Sequence, residues 1–507
     1  MLLKSWMCDL RIDGVRLLFP TSLLVIFSKH LSNIFPYFTL VIMFNLRKRF
    51  LIPLFLFLIT AFFGYQPAQA QEATASGPVY VVQSGDTISG IALRFSVTVD
   101  EILTANALNN ANQIFVGDRI VIPGLDGVEG VLTTRSVAFG ENYRSLRRQF
   151  QLNEAIFNKL NRLASPAELA LGAPIVIPVP DGNPVSHTRD VLRMGETPLE
   201  QAVRLGTQTW SLAAYNGFAL PTDVLPGDIV MFAGSDTIGP GAFPALFRET
   251  EVTPLYQGST GMVALRLQEE IELTLTGQLG PYTLHFFPDD QQYVALQGVY
   301  TFQKPGVYPL TITGQTSDGV RFGFEQMVPI LSRDYIFEYI NVPPALIDPE
   351  TTEREIDEVD ALLAEISEEK LWNDIFQAPS PFEDCINSSF GNRRSYNGSA
   401  FNFYHGGVDY CGGTGTEIYA PADGIIRFAG EKEVRGGYTI IDHGWGIFSG
   451  YMHQSEIFVE IGQEVKAGDV IGLVGNTGRS TGAHLHWEIW VGGELVNPLD
   501  WLARAYP

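Results

Sequence analysis

Residues 80–123 read YVVQSGDTISGIALRFSVTVDEILTANALNNANQIFVGDRIVIP, opening on a short alternating segment and then changing period. Ile88, Ile91, Ala92 and Phe95 mark one face of a helix, and Val99, Ile102 and Leu103 begin a second. The Gly117-Asp118 turn leads into a closing strand over 120–122, so residues 79–124 are predicted to form a βααβ unit. The plan recurs every 55 residues: Gly85, Asn106, Gly117 and Pro123 return as Gly140, Asn161, Gly172 and Pro178, then as Gly195, Asn216, Gly227 and Ala233. Such a period predicts two further units, over 131–179 and 188–233. Between 243 and 343 the pattern shortens to alternating segments such as MVALRLQ, IELTLTG and VYPLTITG, separated by GQLGP, PDDQ, KPG and SDG. That is the signature of an antiparallel β-sandwich, here read as immunoglobulin-like. Residues 348–374 return to helical spacing through Ile356, Val359, Leu362, Leu363, Ile366 and Leu371, with Thr351 or Thr352 as cap. The charge run of this acidic linker could contact an inhibitory surface or be a solvated face. From 385 to 507 short β-segments alternate with Gly-rich turns, and 22 of the chain's 50 glycines lie from Gly391 onward, which predicts a compact mainly-β domain with a groove. The fold class is therefore multidomain.

The front of the chain follows another pattern. LRKRF (46–50), an apolar run over 51–63 and AQA (68–70) have the order of a signal peptide over 43–70, cleaved after Ala70. Residues 1–42 are either an over-long start before Met43 or a membrane segment, and membrane contact is expected only if this front is retained. Export removes seven Lys or Arg and two Asp, leaving 26 basic and 54 acidic residues, a formal net of -28. Such a surface repels a phosphate backbone, so nucleic acid is not expected as a partner. Cleavage also removes Cys8 and leaves Cys385 and Cys411, either a disulfide formed outside the cytosol or two buried thiols.

The three βααβ units resemble LysM domains, which bind N-acetylglucosamine-containing glycans such as peptidoglycan. The first carries VQSGDTISGIA, TANALNN and VGDRIVIP; the second and third keep the frame with GENYRSLRRQF and GETPLEQAVRL at the first motif. The resemblance implies glycan binding by the first, and divergent binders or spacers for the other two.

Five of the eight histidines fall between 405 and 486. In His484-Leu485-His486 the two imidazoles of a strand project to one side, while Leu485 and Trp487 go behind. His405-Gly406-Gly407-Val408-Asp409 is a loop entering a strand. Beside the HxH it supplies neutral nitrogens and a carboxylate oxygen, which zinc accepts, and three protein ligands leave one position open. From chemistry alone His443 and His453 could each be a base, an outer partner or structural, with Asp442 as an outer carboxylate. His285 stands alone and reads as structural.

Residues 390–502 resemble the lysostaphin-type (LytM-like, glycyl-glycine endopeptidase-like) zinc metallopeptidases, whose fold is the duplicated hybrid motif. HGGVD (405–409), YMH (451–453) and HLHWE (484–488) carry the likeness, with FGNRRSYNG, APADGII and IIDHGWG in support. It implies one Zn2+ held by His405, Asp409 and His486, catalysis by His453 and His484, a structural His443, and hydrolysis of peptide cross-links or stem peptides of peptidoglycan. A departure is GTEI at 415–418, where GTPV is common, which bears on substrate preference. The expected protein is a secreted metalloendopeptidase of the cell wall, periplasm or cell envelope, anchored by its LysM units. The alternative is a non-catalytic wall-binding protein or a regulator of cell-wall amidases.

Overall fold

The structure, a computed structural model, describes residues 7–12, 15–20, 77–180, 187–234, 239–341, 343 and 348–507. The expected signal peptide over 43–70 lies outside them. Of 1–42, an antiparallel pair, Met7–Ile12 with Val15–Pro20, is described, as part of a unit separate from residues 75–507. Among the described residues no helix is long and apolar enough to cross a membrane.

In the first βααβ unit, helices Ile88–Phe95 and Val99–Ala105 pack on an antiparallel pair, Val79–Val81 with Arg119–Val121. Thr87 caps the first helix, and Thr98 with Glu101 forms a capping box on the second. The same order recurs over 131–179 and 187–233. The repeated asparagine explains the period. Asn106 donates to the Ile102 and Val121 carbonyls at 2.8 Å and accepts from the Val121 N–H at 2.7 Å, tying helix end to closing strand. Asn161 does the same with Phe157 and Val176, and Asn216 with Leu212 and Met231. An amide is suited to this because it carries donors and an acceptor together. Gly85, Gly140 and Gly195 have φ of 90°, 87° and 79°, which a side chain would oppose. Units one and two share a four-stranded sheet through the parallel pairing of Val79–Tyr80 with Val131–Leu132.

Residues 247–331 form two sheets facing each other across a core that includes Val263, Leu265, Leu310, Ile312, Phe322 and Phe324. One pairing departs from the all-antiparallel expectation: Leu255–Tyr256 lies parallel to Arg321–Leu331, because a crossover brings it to that sheet's edge. In the four-stranded sheet of this pair the central strands, Thr260–Leu267 and Gln292–Gly298, are buried on both faces. The sheet's second face contributes Met262, Ala264, Phe287, Val294 and Leu296 to the core of the C-terminal domain. The continuous apolar stretches within MVAL and YVALQGV carry this signal, since a strand with one wet face alternates and one buried on both sides does not.

Two boundaries differ from the sequence expectation. Phe337–Ile340, assigned by spacing to the sandwich, instead pairs parallel with Arg393–Tyr396. The C-terminal domain starts before 385, because Trp372 and Phe376 belong to its core. The linker helix spans Pro349–Leu363, shorter than 348–374, and its cap is Asp348, not Thr351 or Thr352. Its buried stripe is Thr351, Glu355, Val359 and Leu363, with Ile356 turned outward.

The C-terminal domain is built on a ten-stranded sheet whose central order is Val408–Tyr410, Leu485–Val491, Ile447–Ile457, Gly436–Gly444 and Gly424–Lys432. Cys385 and Cys411 are joined by a disulfide that staples Ile386–Ser388 to Val408–Tyr410, at the edge of the functional site.

Candidate metal centre

Strand register assembles the site. Leu485–Val491 lies between Val408–Tyr410 and Ile447–Ile457, which sets Asp409 opposite His486 on one side and Met452 opposite it on the other. His453 is the next residue along and adopts φ 63°, a left-handed conformation uncommon and strained for a residue with a side chain. Leu485 and Trp487 point into the core, so His484 and His486 share the opposite face. Gly407 allows the loop its approach: a Cβ there would lie 2.2 Å from the Trp487 carbonyl and 2.8 Å from His486 Nε2.

Three atoms converge. His405 Nε2 lies 3.0 Å from Asp409 Oδ1 and 3.0 Å from His486 Nδ1, and His486 Nδ1 lies 2.7 Å from Asp409 Oδ1. Among the described residues this is the group of His, Cys, Asp or Glu able to hold a metal ion. His453 and His484 flank it with ring centroids 4.9 Å apart, and His484 Nε2 stands 3.6 Å from Asp409 Oδ1.

The outer nitrogen of each imidazole is occupied. His405 Nδ1 donates to the Ser389 carbonyl at 3.0 Å, His453 Nδ1 to the Thr477 carbonyl at 2.8 Å and His484 Nδ1 to the Gly482 carbonyl at 2.7 Å. His486 Nε2 donates to Glu488 Oε1 at 3.1 Å. These bonds fix which nitrogen of each ring faces the site, Nε2 of His405, His453 and His484 and Nδ1 of His486. Arg394 stands 3.8 Å from Asp409 Oδ2 and is held by Glu338 at 3.2 Å.

Lone pairs converging on one carboxylate oxygen require a cation between them. Burial opposes charge on His486, yet hydrogen bonds to Asp409 and Glu488 raise its pKa to about 9. Burial also works against the Asp409 carboxylate, but bonds from His405 and His486 hold it well below the usual range. In the metal-free site that cation is therefore a proton on His486. Two imidazole nitrogens and a carboxylate oxygen fit Zn2+ as its replacement. Because Zn2+ must displace this proton, its affinity is expected to rise about tenfold per pH unit up to about pH 9 and then level. A competition titration with a chromogenic chelator measures this, and an affinity flat between pH 7 and 9 contradicts it. Burial and the neighbouring His486 and His484 lower His453 to about 3, so its ring is neutral at ordinary pH.

All five residues singled out for the site thus come together. His443 does not: it is buried, its ring tilted against Phe376, with Nδ1 on the Asp423 carbonyl and Nε2 on Ser449 Oγ, both at 2.8 Å. Burial lowers its pKa to about 4. Asp442 accepts from the Gly444 N–H, and the outer carboxylate of the site is Glu488 instead. Strand alternation could have found Glu488, two residues beyond His486. The Ser389 and Thr477 carbonyls, Arg394 and Glu338 left no sequence signal.

A buried His–Asp–His group flanked by two further imidazoles at the end of an antiparallel sheet is the site of a metallopeptidase. Residues 403–498 match the model for Peptidase family M23, and residues 80–123 match that for the LysM domain. The C-terminal domain has the fold of an M23-family zinc metallopeptidase and is preceded by a LysM domain. Over 114 residues the chain is 40% identical to peptidoglycan DD-endopeptidase ShyA of Vibrio cholerae, covering 22% of this chain and 26% of that protein. It is 45% identical over 96 residues to DD-carboxypeptidase/endopeptidase Mpg of Neisseria meningitidis, 19% of this chain and 22% of that one. Among solved structures, the catalytic domain of the M23 protein EnpA from Enterococcus faecalis is 32% identical, with 24% of this chain and 94% of that one covered and a TM-score of 0.22. The matches span 22% to 32% of the length of the first curated relatives.

Proposed function

We propose that this protein is a secreted zinc endopeptidase that cuts the peptides of bacterial peptidoglycan while its LysM units hold glycan strands. The observation that carries the reading is the convergence of His405 Nε2, Asp409 Oδ1 and His486 Nδ1 with the inner nitrogens of His453 and His484 beside them. His405, Asp409 and His486 are the metal ligands, and His453 and His484 the catalytic pair. A zinc ion held there supplies Lewis acidity that polarises a scissile carbonyl and acidifies water.

The chain's own residues do the rest. His453 is neutral, with Nδ1–H fixed on Thr477, so Nε2 can take a proton from water and pass it to the leaving amine. His484, with Nδ1–H fixed on Gly482, stands on the same side and hydrogen-bonds the developing oxyanion when its Nε2 carries a second proton, and the two roles can be exchanged. Peptide substrates enter extended across the Gly-rich groove. Units two and three are read as divergent LysM repeats, binders or spacers, and several weak sites on one chain raise local concentration on a polymer. The sandwich is read as immunoglobulin-like. The similarity to ShyA, named a peptidoglycan DD-endopeptidase, supports the substrate class.

The test is release of soluble peptide fragments from purified sacculi. Release that stops with chelator and returns with Zn2+ is expected. Binding to sacculi without release, with Zn2+ present, would favour the regulator reading and sink the enzyme.

A further inference from the structure

The linker helix Pro349–Leu363 lies outside the matched peptidase region, and its sequence reads as a solvated acidic spacer. One of its glutamates is nevertheless 2% exposed: Glu355. Its Oε1 accepts from the Val434 N–H at 2.5 Å, and its Oε2 from the Arg435 N–H at 3.3 Å and Arg435 Nη1 at 3.2 Å. The carboxylate therefore grips the 433–436 turn by two backbone donors and a guanidinium, charge-assisted bonds of the stronger kind.

That turn holds both flanking histidines. The Arg435 carbonyl accepts from the His453 N–H at 2.9 Å, at the residue whose φ is 63°. The Val434 carbonyl accepts from the Arg479 N–H at 2.7 Å, in the 475–484 loop that ends at His484. Thr477 of the same loop receives the Gly437 N–H on Oγ1 at 2.9 Å and presents its carbonyl to His453 Nδ1. Thr352, one turn before Glu355, accepts from Arg479 Nη1 at 3.2 Å. Of the two bonds that orient His453, the backbone one thus ends on the turn that Glu355 pins, and the ring one ends on Thr477, which Gly437 beside that turn holds. The helix is kept there by Val359 and Leu363, which pack with Tyr438, Ile440, Phe448, Met452 and Trp490.

We infer that Glu355 is a positioning residue for the peptidase site, holding His453 in its strained conformation from outside the peptidase domain. This rests on the functional reading above. A group that acts through a catalytic one lowers turnover without changing substrate or metal binding, and losses of about 10- to 100-fold are usual for such partners.

The experiment uses the full chain loaded with Zn2+, with Glu355→Gln, Glu355→Ala and Glu358→Gln made in parallel. Glu358 pairs with Lys432 on the same helix but touches neither turn nor site. The amide of Glu355→Gln keeps the size of the side chain but turns one acceptor into a donor that faces donors. Expected are kcat values about tenfold lower for Glu355→Gln and up to about 100-fold lower for Glu355→Ala, with KM and bound zinc within about twofold, and no change for Glu358→Gln. A second readout is the ring tautomer of His453 from 15N-labelled histidine spectra of the metal-free chain. The unaltered chain shows a fixed Nδ1–H form, and both Glu355 variants show it averaged. If Glu355→Ala unfolds, Glu355→Gln decides. A kcat within twofold of the parent, or an unchanged His453 tautomer, overturns the inference. If the unaltered chain releases nothing from sacculi, the functional reading fails, and the tautomer measurement still decides the positioning claim.

Discussion

Replacing Asp409 with alanine is expected to strip Zn2+ from the protein and to lower peptide release from sacculi by about four orders of magnitude or more, the scale seen when a core catalytic group is removed. Asp409 Oδ1 is the one atom in contact with both His405 Nε2 and His486 Nδ1. Without it, two neutral nitrogens remain, and no carboxylate oxygen is left among the converging ligand atoms. A proton on His486 also loses its strongest partner. Glu488→Gln provides the scale. It alters the bond behind His486 and not a ligand, so about 10- to 100-fold in zinc affinity is expected. Zinc content by mass spectrometry and fragment release from sacculi check both, and stoichiometric zinc in the Asp409→Ala protein would refute the ligand assignment.

Removing the sandwich is expected to unfold the peptidase domain. A chain beginning at residue 349 exposes the face that Met262, Ala264, Phe287, Val294 and Leu296 cover. Burying a large apolar side chain contributes about 1.5–3 kcal/mol, so Met262, Phe287, Val294 and Leu296 together are worth on the order of 6–12 kcal/mol, comparable to the net stability of a typical domain. Polar contacts are lost with them. The Trp501 indole donates to Thr260 Oγ1 at 3.0 Å, and Arg333 pairs with Asp500 at 3.0 Å. A chain beginning at residue 239 keeps this face and is expected to melt cooperatively, with Tm well above that of the shorter piece. Calorimetry of the two truncations decides. A 349–507 fragment as stable as 239–507 would show that the sandwich contributes nothing to the fold of the site.

The sequence was most informative where chemistry and periodicity coincide. Ile88, Ile91, Ala92, Phe95 and Ile102 are buried as helical spacing requires. The alternation of His484 and His486 with Leu485 and Trp487 follows from strand geometry alone. His405 and Asp409 were legible because a glycine pair between them excludes a helix and leaves a loop that can turn both inward. The linker helix was read less well. Its apolar residues suggested a face through Ile356, whereas the buried stripe runs through Glu355, since a carboxylate can be buried where backbone N–H groups meet it.

What the sequence determined by itself is therefore the 55-residue recurrence, the period of most elements and the candidacy of His405, Asp409, His484 and His486 for a metal site, all local properties of the chain. Tertiary structure alone decided which nitrogen of each histidine faces inward, because that depends on carbonyls of Ser389, Thr477 and Gly482 that carry no side-chain signature. It also decided that the strand after the sandwich and the linker helix reach the residues around the site. Strand Phe337–Ile340 brings Glu338 to Arg394, and the helix brings Glu355 to the turn behind His453. Such contacts join residues about 55 to 80 positions apart, and the energy that selects them, burial of a second sheet face, exists only once both partners have folded.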